Sequence, residues 1–541
     1  MYRVFTLPEA PESALGRVDK MISENLAGFL QEHIVAVEKD LGEMQRDFSD
    51  TKIAEAPIFV CEQTKFLLDK LVAQSVHTAS PSFIGHMTTA LPCFMLPLSK
   101  IMIALNQNLV KTETSKAFTP MERQVLGIIH RLVYNRPEKF YKSKLHSCKV
   151  ALGSMCSGGT IANVTALWVA RNNSFPANGD FKGIRKSGVF QALRHYGYND
   201  TAILVSQRGH YSLCKSADLL GLGSDNIIAI PTTDDNKIDI SQLRKKCIEL
   251  RSKNTHIMAI AGIAGTTETG NVDNLDAMAD IAEEFNTYFH VDAAWGGPTL
   301  FSNTHRHILK GIDRADSVTI DAHKQLYVPM GAGIVVFKDP NNTKAIEHHA
   351  KYIIRRGSRD QGSKTLEGSR PGMAMLIHSG LKILGRTGYE LLIDQGIEKA
   401  KTFAEMISTD PDFELISAPE LNILTYRYCP QWLQDYLSYA TVDQSEKINE
   451  KISRITKSIQ KTQRARGKSF VSRTTLTPGK YGNLPCVVFR VVLANPLTKP
   501  ETLESILSEQ KTIAEETEVA DLLDDLKSYC DLSAGKRVAS L

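Results

Sequence analysis

The sequence predicts an α/β protein built on a mostly parallel central sheet with helices on both faces. Between about positions 150 and 340, short apolar runs alternate with amphipathic segments of helical period. Runs this apolar suit strands that are buried on both faces of a sheet. The spacing between them fits the crossovers that join parallel strands. The predicted strands are Ala202–Val205, Ile227–Ile230, Ile257–Ile263, Tyr288–Val291, Ser317–Ile320 and Gly333–Phe337.

The length of the chain predicts more than one domain. With 541 residues, of which 42% are hydrophobic, it exceeds one ordinary domain. Residues 1–115 are predicted to form an N-terminal helical segment that takes part in dimer formation. Residues 116–375 form the predicted large ligand-binding domain. Residues 376–541 form a smaller C-terminal α+β domain, with a strand signal at Val487–Val492.

Three local expectations concern segments outside the predicted sheet. A helix is expected to begin where Thr119 caps it and Pro120 takes the first helical position. The charged segment 447–468 has helical spacing and is expected to be a solvated helix. The polar, glycine-containing segment 351–370 is expected to be a mobile surface loop.

Charge and cysteine usage narrow the class of protein. The net charge is +4 with both signs interspersed, so we expect no nucleic-acid partner. The first residues lack a signal-peptide pattern, and the apolar stretch 87–105 is interrupted by Pro92, Pro97 and Lys100, so no membrane span is expected. Nine cysteines without a CxxC pair indicate reduced thiols and a cytoplasmic location, and no metal site is expected.

Polar side chains follow four of the predicted strands, at the point where each strand ends. His210, Thr267, Asp292 and the pair His323–Lys324 each follow a different apolar run. Open α/β sheets bind ligands at the carboxyl ends of their strands. The sequence therefore predicts that these four segments converge on one binding edge.

The residue types at this edge suit pyridoxal phosphate (PLP). A lysine, here Lys324, forms a Schiff base with the cofactor aldehyde. An acid, here Asp292, pairs with the ring nitrogen, and the small Ala294 beside it leaves room for the ring. His210 would stack on the ring. Each of these side chains alone also fits an ordinary structural role, but their shared position at strand ends favours the cofactor site.

A glycine turn provides a candidate phosphate site. Ser157-Gly158-Gly159-Thr160 precedes the helical run Ile161–Arg171. Glycines let the backbone come close to an anion, and N–H groups at a helix N-terminus point at it. Gly159 and Thr160 are therefore predicted to contact the cofactor, and Thr267 to add a contact near the ring substituents.

Six motifs between about residues 75 and 500 resemble one known family. They are SGGTIAN, RGHYS, GTTETG, HVDAAWGG, DAHK and FRVVLANP. Together they resemble the group II PLP-dependent amino-acid decarboxylases, which include glutamate decarboxylases. The resemblance implies the fold-type I architecture of aspartate aminotransferase and a homodimer with active sites at the subunit interface. It also implies that Lys324 carries the cofactor, Asp292 pairs with the pyridinium, His210 stacks and His323 adjoins the lysine.

The same resemblance narrows the substrate. Arg490, in Phe489-Arg490-Val491, matches an arginine that binds the substrate α-carboxylate, although a strand-edge surface arginine is the alternative. Gly85 stands where animal-type glutamate decarboxylases have an asparagine, and the next residue, His86, either faces a side-chain carboxylate or packs internally. The expected reaction is α-decarboxylation of an acidic amino acid. L-aspartate, giving β-alanine, is the first expectation, with glutamate and 2,4-diaminobutyrate as alternatives.

Some assignments stay open at this point. The α-carbon must receive a proton after carbon dioxide leaves, and Tyr352, His323 or a residue of the partner subunit could donate it. An aminotransferase or an aldolase-type lyase would share Lys324 and Asp292. A non-catalytic binding subunit of the same fold is the alternative from a different class, and it predicts loss of the cofactor residues, which are intact here.

Overall fold

A computed structural model describes residues 14–31, 35, 39–351 and 353–538. The chain forms two compact units. The first comprises Met1–Ala90, Glu405–Ile416 and Tyr426–Leu541, and the second comprises Leu91–Ala404 and Ser417–Thr425. The three-part division predicted above stays a prediction.

The elements are numbered in chain order. The α-helices are α1 Ala14–Gln31, α2 Leu41–Asp47, α3 Val60–Lys70, α4 Met95–Leu105, α5 Thr112–Ser115, α6 Phe118–Tyr134, α7 Glu138–Lys144, α8 Gly159–Ser174, α9 Ile184–Tyr196, α10 Ser212–Leu219, α11 Ile240–Ser252, α12 Leu275–Glu284, α13 Ala374–Ile383, α14 Gly385–Thr409, α15 Gln431–Tyr439, α16 Val442–Arg466, α17 Pro500–Ala514 and α18 Thr517–Val538. The strands are β1 Gly153–Cys156, β2 Asp200–Ser206, β3 Ile227–Ile230, β4 Thr255–Ile263, β5 Tyr288–Asp292, β6 Ser317–Asp321, β7 Gly333–Phe337, β8 Phe413–Ser417, β9 Ile423–Tyr428, β10 Ser472–Leu476 and β11 Cys486–Val492. Short 3-10 helices lie at Val72–Gln74, Ser224–Asn226, Gly297–Phe301, Arg306–Leu309, Ile312–Arg314, Pro340–Ile346, Gln361–Lys364 and Gly479–Tyr481.

The second unit is built on a seven-stranded sheet in the order β1-β7-β6-β5-β4-β2-β3. Strand β7 runs antiparallel to both of its neighbours, and the remaining adjacent pairs are parallel. The six predicted strands lie within β2 to β7, which confirms the mostly parallel α/β prediction. The short strand β1 was not predicted. It pairs with β7 in the register Gly153 to Val336.

Alternating side chains of β4 explain why helices cover both faces of this sheet. Ala261 and Ile263 pack in one core cluster with Leu167 of α8 and Leu213 of α10. Gly262 lies on the opposite face, where a Cβ atom would meet Leu275 and Met278 of α12. Because successive strand residues point to opposite faces, one apolar run serves two helical layers.

The first unit contains a four-stranded sheet in the order β10-β11-β9-β8. The predicted strand signal at Val487–Val492 lies within β11, and every residue of β11 is buried. The charged helix α16 is not fully solvated, contrary to the expectation above. Ile448, Ile452, Ile455 and Ile459 recur at helical spacing and are buried, so one apolar stripe packs while the charged faces meet water.

The start of α6 also differs from the expectation. The helix begins at Phe118, and its N-cap is Ala117, which makes no side-chain capping bond. The Thr119 hydroxyl instead lies 2.6 Å from the hydroxyl of Ser115, one turn earlier. Across the described part of the chain, no helix combines the length and apolar character that crossing a membrane requires.

A neutral histidine is built into the core between α6 and β7. His130 is fully buried, its Nε2–H donates to the Phe337 carbonyl at 3.1 Å, and its Nδ1 accepts from the Tyr141 hydroxyl at 3.0 Å. Burial disfavours the charged ring and lowers the pKa of His130 to about 4.

We expect this histidine to make the protein sensitive to acid. The unfolded chain binds the proton near pH 6.5 and the native state only near pH 4, so stability falls as the pH drops through that window. Between pH 7 and pH 5 the loss from this group should be about 2 kcal/mol. His130→Gln should remove that part of the loss in denaturant unfolding measured at both pH values. The exposed control His307→Gln should keep it; equal losses in the two variants would contradict the assignment.

Candidate active site

The carboxyl ends of neighbouring strands bring the predicted site residues together within the second unit. Strands β5 and β6 are parallel neighbours, with Asp292 in register with Thr319, and Lys324 follows the end of β6 by three residues. His210 follows β2. Its ring interacts electrostatically with the side chains of Asp292, Asp321 and Lys324. The predicted convergence of these segments on one edge is therefore observed in the structure.

Lys324 is held in a tight turn after β6. Its ammonium lies 3.0 Å from Oδ2 of Asp321, and its side chain is 18% exposed, so the amine is accessible without being on open surface. The other oxygen of Asp321 is buried and has no hydrogen-bond partner among the residues that the structure describes. The neighbouring His323 donates from Nδ1 to the Ala332 carbonyl at 2.9 Å, which leaves its Nε2 3.7 Å from Asp321.

Asp292 is a buried carboxylate whose contacts among the described residues are neutral donors. It is 6% exposed. Its Oδ2 accepts from the Asn163 amide at 2.8 Å, and its Oδ1 accepts from the Ala294 backbone N–H at 3.1 Å. No lysine or arginine of the described residues forms an ion pair with it. A buried charge of this kind is costly until a cation arrives.

His210 stands on the loop between β2 and α10. Its Nδ1 accepts the Ser212 backbone N–H at 3.2 Å and lies 2.8 Å from the Ser212 hydroxyl. Burial lowers the pKa of His210, and Lys324 adds to that effect, whereas Asp292 opposes it. The ring is therefore neutral and carries its proton on Nε2.

The glycine turn before α8 lies against the Lys324 segment. A Cβ atom at Gly159 would come within 2.7 Å of Asp321 Oδ2, and one at Gly158 would lie 3.4 Å from the His323 ring. A Cβ atom at Gly333 would lie 2.6 Å from the Gly158 backbone. A side chain at Gly159 or Gly333 would force these segments apart, so glycine is required at these two positions, whereas a Cβ atom at Gly158 would make an ordinary contact. Thr160 is half-buried in the first turn of the helix.

The loop that follows β4 reaches the same edge. Thr267 is exposed in this turn, and the buried Thr266 hydroxyl accepts the Asn271 N–H at 3.2 Å to shape it. Arg208, two residues before His210, forms an ion pair with Glu268 at 2.9 Å. The ion pair ties the His210 loop to the Thr267 turn.

Four further residues belong to this constellation, although the sequence analysis gave them no role. They are Asn163, Ser212, His290 and Asp321, all buried. Two periodicities could have found two of them, Asn163 and His290. Asn163 follows Gly159 by four positions and so lies on the same face of α8, and His290 precedes Asp292 by two positions and so shares its face of β5.

The remaining predicted residues lie elsewhere. Arg490 and His86 belong to the first unit, where the Arg490 guanidinium donates to the Gly85 carbonyl at 3.3 Å. His86 is exposed, and its Nδ1 lies 3.0 Å from the Thr88 hydroxyl. Tyr352 lies outside the described residues.

The residues of the second unit fit PLP chemically. The cofactor offers an aldehyde, a protonatable ring nitrogen and a phosphate. The site offers an accessible amine, a buried carboxylate that pairs with no lysine or arginine of the described ranges, and a glycine turn at a helix N-terminus. An α/β protein with this set belongs to the class of PLP-dependent enzymes.

Comparison with known proteins identifies the family within that class. The model of the pyridoxal-dependent decarboxylase conserved domain matches residues 62–429. The chain is 58% identical over 520 residues to an aspartate 1-decarboxylase of Aliivibrio fischeri, covering 96% of this chain and 95% of the relative. It is 31% identical over 346 residues to an L-aspartate decarboxylase of Metarhizium robertsii, covering 63% of each chain. The crystal structure of mouse CSAD in apo form has the same fold, with a TM-score of 0.80 at 24% identity, covering 94% of this chain and 99% of that one.

The chain therefore belongs to the pyridoxal-dependent decarboxylase family. This finding confirms the predicted family, the PLP cofactor and the decarboxylase class. Those predictions rested on the strand-end residues and on six motifs. The family model spans the strand-end residues and five of the motifs, whereas FRVVLANP, at 489–496, lies beyond the matched residues.

Proposed function

We propose that this protein removes the α-carboxylate of L-aspartate. The bond between the α-carbon and that carboxylate breaks, carbon dioxide leaves, and a proton takes its place to give β-alanine. The observation that carries the proposal is the 58% identity to an aspartate 1-decarboxylase over nearly the whole of both chains.

The second unit would hold the cofactor. Lys324 would bind it covalently, Asp292 would pair with the ring nitrogen, and His210 would stack on the ring. Gly159, Thr160 and Thr267 would contact it, and the small Ala294 would leave room beside Asp292. Bound PLP supplies a conjugated acceptor for the electron pair that decarboxylation leaves on the α-carbon. The buried Asp292 would keep the ring nitrogen protonated.

Arg490 and His86 are the proposed substrate-binding residues. Arg490 is largely buried in β11 and suits a carboxylate because its planar fork donates two parallel hydrogen bonds. Its bond to the Gly85 carbonyl places it beside His86. We assign the α-carboxylate to Arg490 and the side-chain carboxylate to His86.

Three candidates are considered as the donor of the proton that the α-carbon receives after carbon dioxide leaves. His323 is favoured among the described residues. Its Nδ1–H donates to the Ala332 carbonyl, so the ring would give a proton from Nε2 only as the imidazolium, and the Asp321 carboxylate 3.7 Å from Nε2 would stabilise that form. Tyr352 and a residue of the partner subunit remain the alternatives.

A homodimer with active sites at its interface is part of the proposal. In the first unit, Ile53 is 95% exposed and Phe59 is 75% exposed. In the second unit, α4 exposes Leu96, Ile101 and Ile103. Exposed apolar groups of this size mark interaction surfaces, and a second copy of the chain is the proposed partner.

We also propose a cytoplasmic location. All nine cysteines are free thiols. Burial raises the pKa of Cys156, Cys247 and Cys429 to about 12 each, so these three stay protonated. Unreactive buried thiols suit a reducing compartment.

Covalent labelling tests the cofactor assignment. Borohydride reduction of the yellow protein should fix PLP on Lys324, to be located by peptide mapping. Lys324→Ala should lose both the label and turnover. The exposed control Lys310→Ala, whose amine pairs with Asp276 at 2.9 Å, should keep both. A label on another lysine would overturn the assignment.

Substrate competition tests the reaction. Carbon dioxide release without added keto acid should be fastest from L-aspartate. One extra methylene is typically worth about 10- to 200-fold in kcat/KM, so L-glutamate should be slower by that order. 2,4-Diaminobutyrate should be slower still, because its amine replaces the carboxylate. Preference for diaminobutyrate or an aromatic substrate would refute the acidic-substrate proposal.

Two arginine variants test in the same assay whether Arg490 binds the substrate or only supports the fold. Arg490→Met should raise KM for aspartate about 10- to 100-fold, the range for loss of a charged hydrogen bond. Arg473 is exposed on the neighbouring strand β10, and Arg473→Met should leave KM unchanged.

The dimer proposal is tested by solution mass. Light scattering after size exclusion should give twice 59.9 kDa. Ile103→Ser should shift the mass towards one chain, because it places a hydroxyl on the exposed apolar face of α4. Phe190→Ser, at an equally exposed position on α9, should not. A single-chain mass for the unaltered protein would rule the dimer out.

A further inference from the structure

Asn163 lies at the centre of a buried hydrogen-bond network beneath the site. It is 1% exposed on α8. Its amide nitrogen donates to Asp292 Oδ2 at 2.8 Å and to the Ser212 hydroxyl at 3.0 Å, and its amide oxygen lies 3.1 Å from Nε2 of His290. One side chain therefore joins three elements of the second unit.

The direction of every bond in this network follows from one constraint. A carboxylate only accepts hydrogen bonds, so the amide nitrogen of Asn163 must face Asp292. The amide oxygen then faces His290, whose Nε2 must carry the proton. The other ring nitrogen of His290 is left to accept from the Ser317 hydroxyl at 2.8 Å. His290 is fully buried, which lowers its pKa and keeps the ring neutral.

The hydrogen bond from Asn163 to Ser212 determines which nitrogen of His210 carries the proton. Because the Ser212 oxygen accepts from Asn163, its own O–H is free to donate to Nδ1 of His210 at 2.8 Å. The Ser212 backbone N–H points at the same nitrogen. His210 must then carry its proton on Nε2. The Asn163 amide therefore acts on both residues that are predicted to contact the cofactor ring, Asp292 and His210.

We propose that Asn163 is the positioning residue that orients Asp292 and fixes the tautomer of His210 together, and that His290 locks the orientation of the Asn163 amide. This inference rests on the proposed cofactor site. Its physical basis is that a neutral amide can orient a carboxylate without neutralising it. A lysine or arginine in its place would pair with Asp292 and remove the charge that the ring nitrogen needs.

The titratable groups around this network are His290 on β5, His210 on the loop after β2, Asp321 at the end of β6, and His323 and Lys324 after it. Lys324 pairs with Asp321, and Asp292 has no such partner among the described residues. The negative charge of Asp292 is therefore available to the cofactor, and the neutral network is what preserves it.

Asn163→Leu keeps the side chain at a similar size and removes the amide nitrogen and the amide oxygen that make the network's hydrogen bonds. It should weaken PLP binding to the apoprotein and lower kcat, each by about 10- to 100-fold, with KM nearly unchanged. The matched control is Asn172→Leu on the same helix. Asn172 is equally buried, but it bonds the Ala345 carbonyl at 2.9 Å and not the network, so PLP affinity and kcat should stay within about threefold.

A double-mutant cycle separates positioning from general destabilisation. His290→Phe should cost about tenfold in PLP affinity in the wild-type background and almost nothing further in the Asn163→Leu background, because His290 acts through Asn163. Equal costs in both backgrounds would overturn the role of His290. Unchanged PLP affinity and kcat in Asn163→Leu, in a wild type that binds PLP, would overturn the inference alone. A wild type that takes up no PLP would overturn the proposed function with it.

Asn163→Asp provides a pH readout that is needed if the leucine variant does not fold. The introduced carboxyl group must share a proton with Asp292, since two carboxylates in contact do not both ionise easily. When protonated, it can donate to Asp292 as the amide does. Activity and the yellow cofactor band should therefore recover towards acid pH and fall as the pH rises, relative to wild type. A pH profile parallel to that of the wild type would contradict the positioning role.

Discussion

The constraint on which the rest of the site depends is a buried carboxylate that has no cationic partner within the described part of the chain. Asp292 is 6% exposed and accepts hydrogen bonds from Asn163 and the Ala294 backbone. These donors lower the cost of burying the charge but leave it uncancelled. A site arranged in this way is complementary to a cationic ring, and the neutral state of His210 and His290 follows the same logic, because a charged imidazole beside Asp292 would compete with that ring.

The close packing around Lys324 also depends on where the charges lie, because the glycine turn packs against the ion pair of Lys324 and Asp321. The Lys324 ammonium pairs with Asp321 and not with Asp292 among the described contacts. Gly159 must lack a side chain because Asp321 occupies that space, and Gly333 must lack one because the Gly158 backbone does. The glycines of the turn are thus required by the ion pair beside them as much as by any anion they bind.

The sequence allowed the sheet and the reactive residues to be predicted because both depend on local signals. Strands β2 to β7 are apolar runs, and Asp292, Lys324 and His210 are chemically specific residues at strand ends. Strand β1, with the sequence Gly-Ser-Met-Cys, has no such run and owes its place to antiparallel pairing with β7. Asn163, Ser212 and Asp321 lay inside recognised motifs, but their roles come from partners that are in some cases more than 100 positions away. The buried ion pair between Glu122 and Arg370 was unpredictable for the same reason.

The proposed substrate-binding residues and the residues around Asp292 are held by separate sets of hydrogen bonds. One network lies within the second unit. Its hydrogen bonds run from Ser317 through His290 and Asn163 to Asp292. Arg490, Gly85 and His86 are held by bonds inside the first. A change near His86 therefore alters the groups proposed to meet the substrate without requiring any change at Asn163.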